Sequence, residues 1–263
     1  DGNLIDPFNG QDDIKNKKLR HVSDAFSEDP LRVLRIARFH AKFDGFEVVP
    51  ETVDKIKEIV DSGELEHLTP ERKWLEIYKT DRDLVKFFSF LITHHARDIL
   101  FPEVKDDIVM GQLFPSDATK VEIISYNLFH CIHTSEGIES FCQRLKVPNE
   151  YKSLALLFSN CIHNYCDYVP DSTDNYDVLL SLIKKMDIRK KDRLSSFMKC
   201  VHHFYAELDE HKNFFEELIK NINNFKLSDE DQKKPGLEIK KIIENAHREI
   251  AQDAIRKFLN KSN

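Results

Sequence analysis

Glycine is scarce in this sequence, with 7 glycines among 263 residues. None of them has the G-x-G-x-x-G or G-x-x-x-x-G-K spacing with which a backbone cradles nucleotide phosphates. The sequence therefore contains no phosphate loop of its own. Long apolar runs are also missing, because no stretch approaches the roughly 20 residues that a membrane-spanning helix needs. We expect no membrane partner.

Paired cysteines are absent as well. The sequence has 5 cysteines, an odd number, with no C-x-x-C pair and no recognisable signal peptide. Secreted domains that depend on disulfides show even cysteine counts and a leader. The pattern therefore predicts reduced thiols in a cytoplasmic protein, with Cys161 and Cys166 in or near the core.

The first residues have the pattern of a strand followed by a turn. The chain opens with DGNLIDPFNG and has no initiator Met. Leu4 and Ile5 favour a strand, and the Asp6-Pro7 and Asn9-Gly10 pairs are typical of turns. We expect the first 22 residues to be the end of something larger, as in a truncated or cleaved product.

Beyond residue 23 the apolar residues recur at three- and four-residue spacing, which indicates helices. Ser27 is predicted to cap the first of them, with Glu28, Asp29 and Pro30 in its first turn. The fold prediction is all-α. An irregular connection is predicted at 105–118. Further helical runs are predicted at 50–63, 69–78, 83–99, 120–145, 150–166, 176–186, 191–208 and from 213 to the end, the last with a break at 234–236.

The stretch SEDPLRVLRIARFHAKF, residues 27–43, carries an acidic pair and three arginines at three-residue spacing. One interpretation is a solvated helix face, whose ion pairs contribute about 0.2–0.5 kcal/mol each. The alternative is a hydrogen-bonding edge formed by Asp29 and Arg32. Cytosine and adenine each present an amino donor beside a ring-nitrogen acceptor, whereas uracil and guanine present a carbonyl beside an N–H. A carboxylate that accepts and a guanidinium that donates therefore match cytosine and adenine equally.

The segment IDPFNGQDDIKNKKLRHVSDAFSEDPLRVLRIARFHAKF resembles the middle motifs of bacterial class II tRNA nucleotidyltransferases, which are the CCA-adding enzymes and the related poly(A) polymerases. GELEHLTPERKWLEI, LFPE and CQRLKVPNE are similar to further stretches of these enzymes, and LEIKKIIENAHREI to their tail. The resemblance implies an elongated set of helical regions with a short β/turn remnant in front. Its boundaries would be 1–22 for the remnant of the head and the head–neck junction, 23–104 for a nucleotide-selecting neck, 105–212 for a body and 213–263 for a tRNA-binding tail.

The resemblance also implies roles for the acidic pair and the arginines. Asp29 and Arg32 would act as an amino-acid template for CTP and ATP, with Glu28 and Arg35 at the same nucleotide site. Arg38 is a weaker candidate that could instead anchor the neck helices. The implied activity is the addition of C, C and A to the 3′ end of tRNA. A poly(A) polymerase-type enzyme and a non-catalytic helical RNA-binding or scaffold protein remain as alternatives.

The chemistry of that family resides in a head with a glycine loop and a D-x-D pair of carboxylates. Phosphoryl transfer needs Mg²⁺ held by such carboxylates. We predict that Mg²⁺ is bound by the missing head, that no catalytic or metal-binding residue lies in this chain, and that the chain alone is inactive. The D-x-D matches at 81–83 and 229–231 are predicted to be caps or turns, and His130, His133, His163 and the pairs 94–95 and 202–203 to be core or surface histidines.

The C-terminal region is the remaining candidate for RNA contact. The net charge of −7 gives no overall nucleic-acid signal, but from residue 232 onward there are eight lysines and arginines against four acids. Basic helices can follow the phosphates of a tRNA by shape and charge. The competing interpretation is a solvated helix with ordinary charge pairs. The candidate contacts are Lys233, Lys234, Lys240 and Lys241.

Overall fold

The computed structural model describes residues 5–80, 83–108, 113–205 and 208–261. Within these ranges the chain is mostly helical, which confirms the all-α prediction. The helices are α1 (Gly10–Lys15), α2 (Leu31–Lys42), α3 (Pro50–Asp61), α4 (Pro70–Lys79), α5 (Leu84–Thr93), α6 (Arg97–Leu100), α7 (Lys120–Ile132), α8 (Ser135–Arg144), α9 (Asn149–Cys166), α10 (Tyr176–Met186), α11 (Lys191–Phe204), α12 (Asp209–Asn224) and α13 (Gly236–Lys261). No helix in these ranges is long and apolar enough to cross a membrane.

The chain divides into two compact units, Asp1–Leu156 and Leu157–Asn263. In the first unit, α2 packs against α5 and α4. Phe87 and Phe88 are fully buried and Phe90 is 6% exposed, so this aromatic run lies in the core. The ring of Phe88 lies 5.5 Å from that of Phe101, which in turn lies 5.9 Å from that of Phe141.

Two short strands, β1 (Lys18–Leu19) and β2 (Glu47–Val48), pair in parallel near the start of the first unit. Lys18 faces Glu47 across the pair, with 2.7 Å between Nζ and Oε2. The strand predicted at residues 4–5 is not observed at Ile5, which is 88% exposed and lies outside any strand. Residue 4 lies outside the described residues. The predicted turn is present, and Asp6 then accepts hydrogen bonds from the amides of Gly10 and Gln11, which allows α1 to begin there.

The predicted start of the helix at Ser27 is wrong. Ser27 lies in a 3-10 helix, Asp24–Glu28, and α2 begins only at Leu31. Pro30 disfavours a helical conformation in the residue before it, and Asp29 is accordingly extended, with φ −126° and ψ 105°. Asp29 does not occupy the first turn of the helix but caps it, because its Oδ1 accepts the Leu31 amide hydrogen bond at 3.0 Å.

Two predicted helical runs are each split by a residue with a left-handed backbone. The run at 83–99 becomes α5 and α6, with His95 at φ 56° between them. The run at 120–145 becomes α7 and α8, with His133 at φ 70°. Asp83 accepts the Lys86 amide at 2.8 Å and so caps α5, as predicted for the second acid of its D-x-D match. The other two residues of that match, 81 and 82, lie outside the described residues.

Helix α8 starts at a close contact that offers a test of the fold. A Cβ added at Gly137 would lie 2.7 Å from Ile132 Cγ2 and 2.9 Å from Thr134 Oγ1, the atom that caps the helix. Gly137→Ala is therefore expected to lower the free energy of unfolding by about 1 kcal/mol, although alanine favours helices. Urea unfolding measures it, with Gly236→Ala as the control, because a Cβ there meets nothing within 4 Å. Equal stability of the two variants would contradict the packing argument.

The second unit has its own aromatic core around Tyr165, which is fully buried. Its hydroxyl lies 2.7 Å from His202 Nε2, and its ring lies 4.4 Å from that of Phe215. His211 Nε2 lies 2.6 Å from the Tyr165 carbonyl oxygen. Cys161 and Cys200 are buried and Cys166 is half-buried, and all five cysteines are free thiols, as predicted. Burial raises the pKa of Cys161 to about 11, which makes it unreactive.

Acid is expected to destabilise the second unit. Burial lowers the pKa of His202 to about 4 from 6.5, so the unfolded chain takes up a proton before the folded chain does. Neutral His202 makes its full contribution to the free energy of unfolding above about pH 6.5, and this contribution is lost as the pH falls toward 4. Burial lowers the pKa of His211 as well, so the two histidines act in the same direction.

His202→Gln tests this pH dependence because glutamine keeps a polar group beside Tyr165 without titrating. Thermal unfolding between pH 7.5 and 4.5 is expected to show a smaller loss of Tm in His202→Gln than in the unmodified chain. His203→Gln, at an exposed neighbour on α11, serves as the matched control. If both variants lose Tm as steeply as the unmodified chain, His202 does not carry the effect.

Candidate nucleotide-binding site

Asp29 lies where the 3-10 helix Asp24–Glu28 meets α2, and its carboxylate is held from two sides. Its own helix supplies the Leu31 amide, as described above. From α4, Arg72 Nη2 lies 2.9 Å from Oδ1 and 3.0 Å from Oδ2. Thr69 Oγ1 accepts the Arg72 amide at 3.5 Å, which confirms the predicted helix start at Thr69-Pro70 and places Arg72 in the first turn of α4.

Arg32 lies in the first turn of α2 and has a different partner. Its Nη1 donates to the carbonyl oxygen of Ala25, and its guanidinium lies 6.0 Å from the centre of the Phe26 ring. The predicted pair therefore shares one helix start, but Asp29 is engaged by Arg72 while Arg32 is turned toward the 3-10 helix. Both groups are half-buried rather than buried, so a ligand can reach them.

Arg35 is exposed and lines a groove of ≈ 350 Å³ together with Arg20 and Arg32. Phe26 and Phe39 form apolar walls, and none of the described residues that line the groove carries a carboxylate. The guanidinium groups of Arg32 and Arg35 attract anions such as phosphates to this groove. Glu28 is exposed at the end of the 3-10 helix and does not line this groove.

Arg20 was not singled out from the sequence, because nothing in its spacing connects it with α2. Its Nε lies 3.1 Å from Asp13 Oδ2 and its Nη1 lies 3.2 Å from Glu51 Oε1. The hydrogen bond to Asp13 is the main cause that raises the Arg20 pKa. The neighbouring residue is also fixed, since the His21 amide donates to Thr52 Oγ1 at 2.9 Å. These contacts hold one wall of the groove against α3.

Arg38 lies deeper than the other arginines of α2. Its Nε lies 2.7 Å from Glu76 Oε2 on α4, in a pair whose side chains are 13% and 4% exposed. Its guanidinium also lies 4.2 Å from the centre of the Phe39 ring. This geometry suits the second of the two predicted roles, that of anchoring helices.

The four lysines proposed for RNA contact are all exposed in the second unit. Lys234 pairs with Asp231 at 2.6 Å, and Lys240 lies 3.9 Å from Glu244. Lys233 ends a 3-10 helix, Asp231–Lys233, and Lys241 lies in the first turns of α13. The second D-x-D match, at 229–231, lies at this turn, where Asp231 also accepts from Ser228 at 2.7 Å.

No group of three or more His, Cys, Asp or Glu side chains is arranged to hold a metal ion anywhere in the described ranges. The rings of His130 and His133 lie 6.4 Å apart, and His202 is engaged with Tyr165. Burial lowers the pKa of His94, whose ring lies 4.3 Å from Phe90. These side chains do not form a donor set for Mg²⁺.

Comparison with known sequences identifies relatives along most of the chain. No protein-family model matches it. A CCA-adding enzyme of Coxiella burnetii is 35% identical over 228 residues, which cover 85% of this chain and 60% of that protein. A multifunctional CCA protein of Aliivibrio salmonicida is 36% identical over 243 residues, covering 76% of this chain and 58% of that protein. The chain thus spans about 60% of the length of the curated relatives it matches.

Solved structures show the same fold. The Thermotoga maritima CCA-adding enzyme in complex with tRNA matches with a TM-score of 0.58 at 16% identity, over 98% of this chain and 68% of that one. A CCA-adding enzyme in complex with ATP matches with a TM-score of 0.58 at 17% identity, over 95% of this chain and 64% of that one. The resemblance predicted from the sequence motifs is confirmed by the curated relatives.

Proposed function

Because this chain is related to the bacterial CCA-adding enzymes along most of its length, we propose that it is the nucleotide-selecting and tRNA-binding part of a tRNA CCA nucleotidyltransferase. The complete enzyme would add C, C and A to the 3′ ends of tRNA from CTP and ATP, in the cytoplasm. The observation that carries the proposal is the start of α2, where Asp29 and Arg32 lie three residues apart and Arg32 lines a groove with two further arginines.

In this proposal Asp29 accepts a hydrogen bond from the exocyclic amino group of cytosine or adenine. A carboxylate offers about four lone-pair directions, so one remains for the base beside the contacts from Leu31 and Arg72. Arg32 donates to the ring nitrogen once it exchanges the Ala25 carbonyl for the base. Arg35 then lies one turn further along the helix, next to the phosphates, and Glu28 borders the site.

Arg72 acts as a positioning residue, because it holds Asp29 and does not itself face the base. Arg72→Gln is expected to weaken CTP and ATP selection over UTP and GTP by about three- to tenfold, since the carboxylate loses a charged hydrogen-bond donor. Competitive incorporation of the four nucleotides measures the effect. Lys57→Gln, which removes an exposed charge from α3, is the matched control. Unchanged selectivity in Arg72→Gln would remove Arg72 from the site.

The same relationship is the basis for proposing a role for each region of the chain. We propose that residues 23–104 form the neck, 105–212 the body and 213–263 the tail, whose lysines contact the tRNA. The Mg²⁺-binding carboxylates would belong to a catalytic head outside this chain, and the chain alone would not polymerise. Residues 1–22 would pack at the junction with that head, which suits the exposed side chains of Phe8 and Ile14.

Nucleotide incorporation into tRNA that lacks its terminal CCA tests the proposal. The full-length gene product is assayed beside this chain, with each of the four nucleotides. Addition of C, C and A by the full-length protein and none by the chain alone is the expected result. Addition of A residues only would indicate a poly(A) polymerase-type enzyme. No incorporation by the full-length protein would favour a non-catalytic RNA-binding protein.

A further inference from the structure

A pocket of ≈ 700 Å³ lies in the second unit, where three helices meet. Helix α13 packs against both α10 and α12, and residues of all three helices line the pocket. Its volume is twice that of the groove at the start of α2. Sites for small organic ligands typically have volumes of about 300–1,000 Å³. The pocket shares no residue with the candidate nucleotide-binding site, so the proposed function leaves it without a role.

The wall that α10 contributes is long and largely apolar. It begins at Tyr176 and ends at Asp187, immediately after the last residue of the helix. Leu180 and Ile183 lie between them at three- and four-residue spacing, so these side chains share one face of the helix. This face is about 16 Å long, at about 1.5 Å of rise per residue. Ile222 adds apolar surface from α12. An elongated apolar ligand would bury this surface.

Two cations line the pocket without an acidic partner. Lys184 and Arg248 form no ion pair with any acid in the described part of the chain. The Arg248 guanidinium lies 5.3 Å from the centre of the Tyr176 ring, which places it at the start of α10. Lys184 lies two turns further along α10, about 12 Å away along the axis. Cations beside apolar surface and without a counter-ion attract an anionic group.

The acids of the lining are either paired or exposed to solvent. Asp187 accepts from Arg189 Nε at 2.8 Å, and Glu244 lies 3.9 Å from Lys240. Asp177 is exposed in the first turn of α10. The unpaired charge of the lining is therefore positive. The same three acids disfavour a nucleic acid as the occupant, because a backbone with several phosphates would bring like charges against them.

We propose that this pocket binds a small amphipathic anion, with an elongated apolar body along α10 and a single acidic group on Arg248. A guanidinium can donate two parallel hydrogen bonds to a carboxylate or sulfonate, which fixes the orientation of such a ligand. One acidic group suffices for the free cations and leaves the acids of the lining without a like charge beside them. The inference goes beyond the proposed function and does not depend on it.

Fluorescence of anilinonaphthalene sulfonate, an aromatic anion that brightens in apolar sites, tests the pocket on the 263-residue chain. Dodecanoate, an alkyl chain with one carboxylate, is titrated as a competitor below the concentration at which it forms micelles. It is expected to displace the dye from one site per chain. Dodecylammonium has the same chain and the opposite charge, and is expected to compete at least about tenfold more weakly. Octanoate is also expected to be at least about tenfold weaker, because it buries fewer CH₂ groups.

Matched variants assign the binding to the pocket. Arg248→Gln is expected to weaken dodecanoate binding about tenfold, because the acidic group loses a charged donor. Arg256→Gln is its control, since it removes an exposed arginine of the same helix outside the pocket, and is expected to bind within about twofold of the unmodified chain. Lys184→Gln is expected to weaken binding about threefold, whereas its neighbour Lys185→Gln, outside the pocket, leaves binding unchanged. Near-ultraviolet circular dichroism verifies that each variant is folded.

Equal competition by dodecanoate and dodecylammonium would overturn the proposal, and so would normal dodecanoate binding by folded Arg248→Gln. Displacement of the dye by an RNA hairpin but not by dodecanoate would also overturn it and would assign the pocket to nucleic acid. None of these measurements involves CTP, ATP or nucleotide incorporation. The pocket and the proposed function can therefore fail separately.

Discussion

Arg38→Leu is expected to lower the free energy of unfolding by about 3–5 kcal/mol, the largest stability effect of any variant considered for this chain. Arg38 Nε and Glu76 Oε2 lie 2.7 Å apart, and the Glu76 side chain is 4% exposed. Removing the guanidinium leaves a buried carboxylate whose remaining ion-pair contact, to Lys79, is 3.9 Å long. The variant also removes the cation over Phe39, which lies 4.2 Å from the ring centre.

Urea unfolding of four chains measures this effect. Arg35→Leu is the matched control, since it makes the same change at an exposed position on the same helix and is expected to stay within about 0.5 kcal/mol of the unmodified chain. Arg38→Leu combined with Glu76→Leu is expected to regain much of the lost stability, because no buried charge is left unpaired. If Arg38→Leu were no less stable than Arg35→Leu, the buried pair would not anchor α2 to α4.

Most helix positions follow from local chemistry and could be predicted. Thr69-Pro70 starts α4 as its cap and first residue. Helix α10 occupies the predicted range, Tyr176–Met186, because its apolar residues keep one helical period. In each case the information lies within a few residues of the element.

The details that the sequence did not reveal depend on distant partners or rare backbone conformations. Arg72 reaches Asp29 from 43 residues away, and no spacing rule connects them. Arg20 joins the groove because β1 and β2 pair, and a ladder of two residues carries too little pattern to predict. The positive φ angles of His95 and His133 end helices in a conformation that is uncommon for any residue other than glycine, although histidine adopts it more often than most. The candidate residues could be named from the sequence, but not their partners.

Asp29→Asn is expected to reduce the preference of the complete enzyme for CTP and ATP over UTP and GTP by about 5- to 150-fold, which corresponds to about 1–3 kcal/mol for one well-placed contact to a base edge. An asparagine places an N–H₂ donor where the carboxylate had an acceptor, so it meets the amino group of cytosine or adenine with a donor. It also weakens the contact with Arg72, whose Nη2 now lies 2.9 Å and 3.0 Å from the two carboxylate oxygens.

Single-turnover incorporation of each nucleotide into tRNA without its CCA end measures this selectivity separately from turnover. Asp24→Asn is the matched control, because its carboxylate lies in the adjoining 3-10 helix with a side chain that is 97% exposed. The hydrogen bond from Leu31 to Asp29 Oδ1 also caps α2, so Asp29→Asn could act through the helix start alone. A structural effect of that kind slows all four nucleotides equally. Only a loss that falls on CTP and ATP, with UTP or GTP gaining, assigns base selection to Asp29.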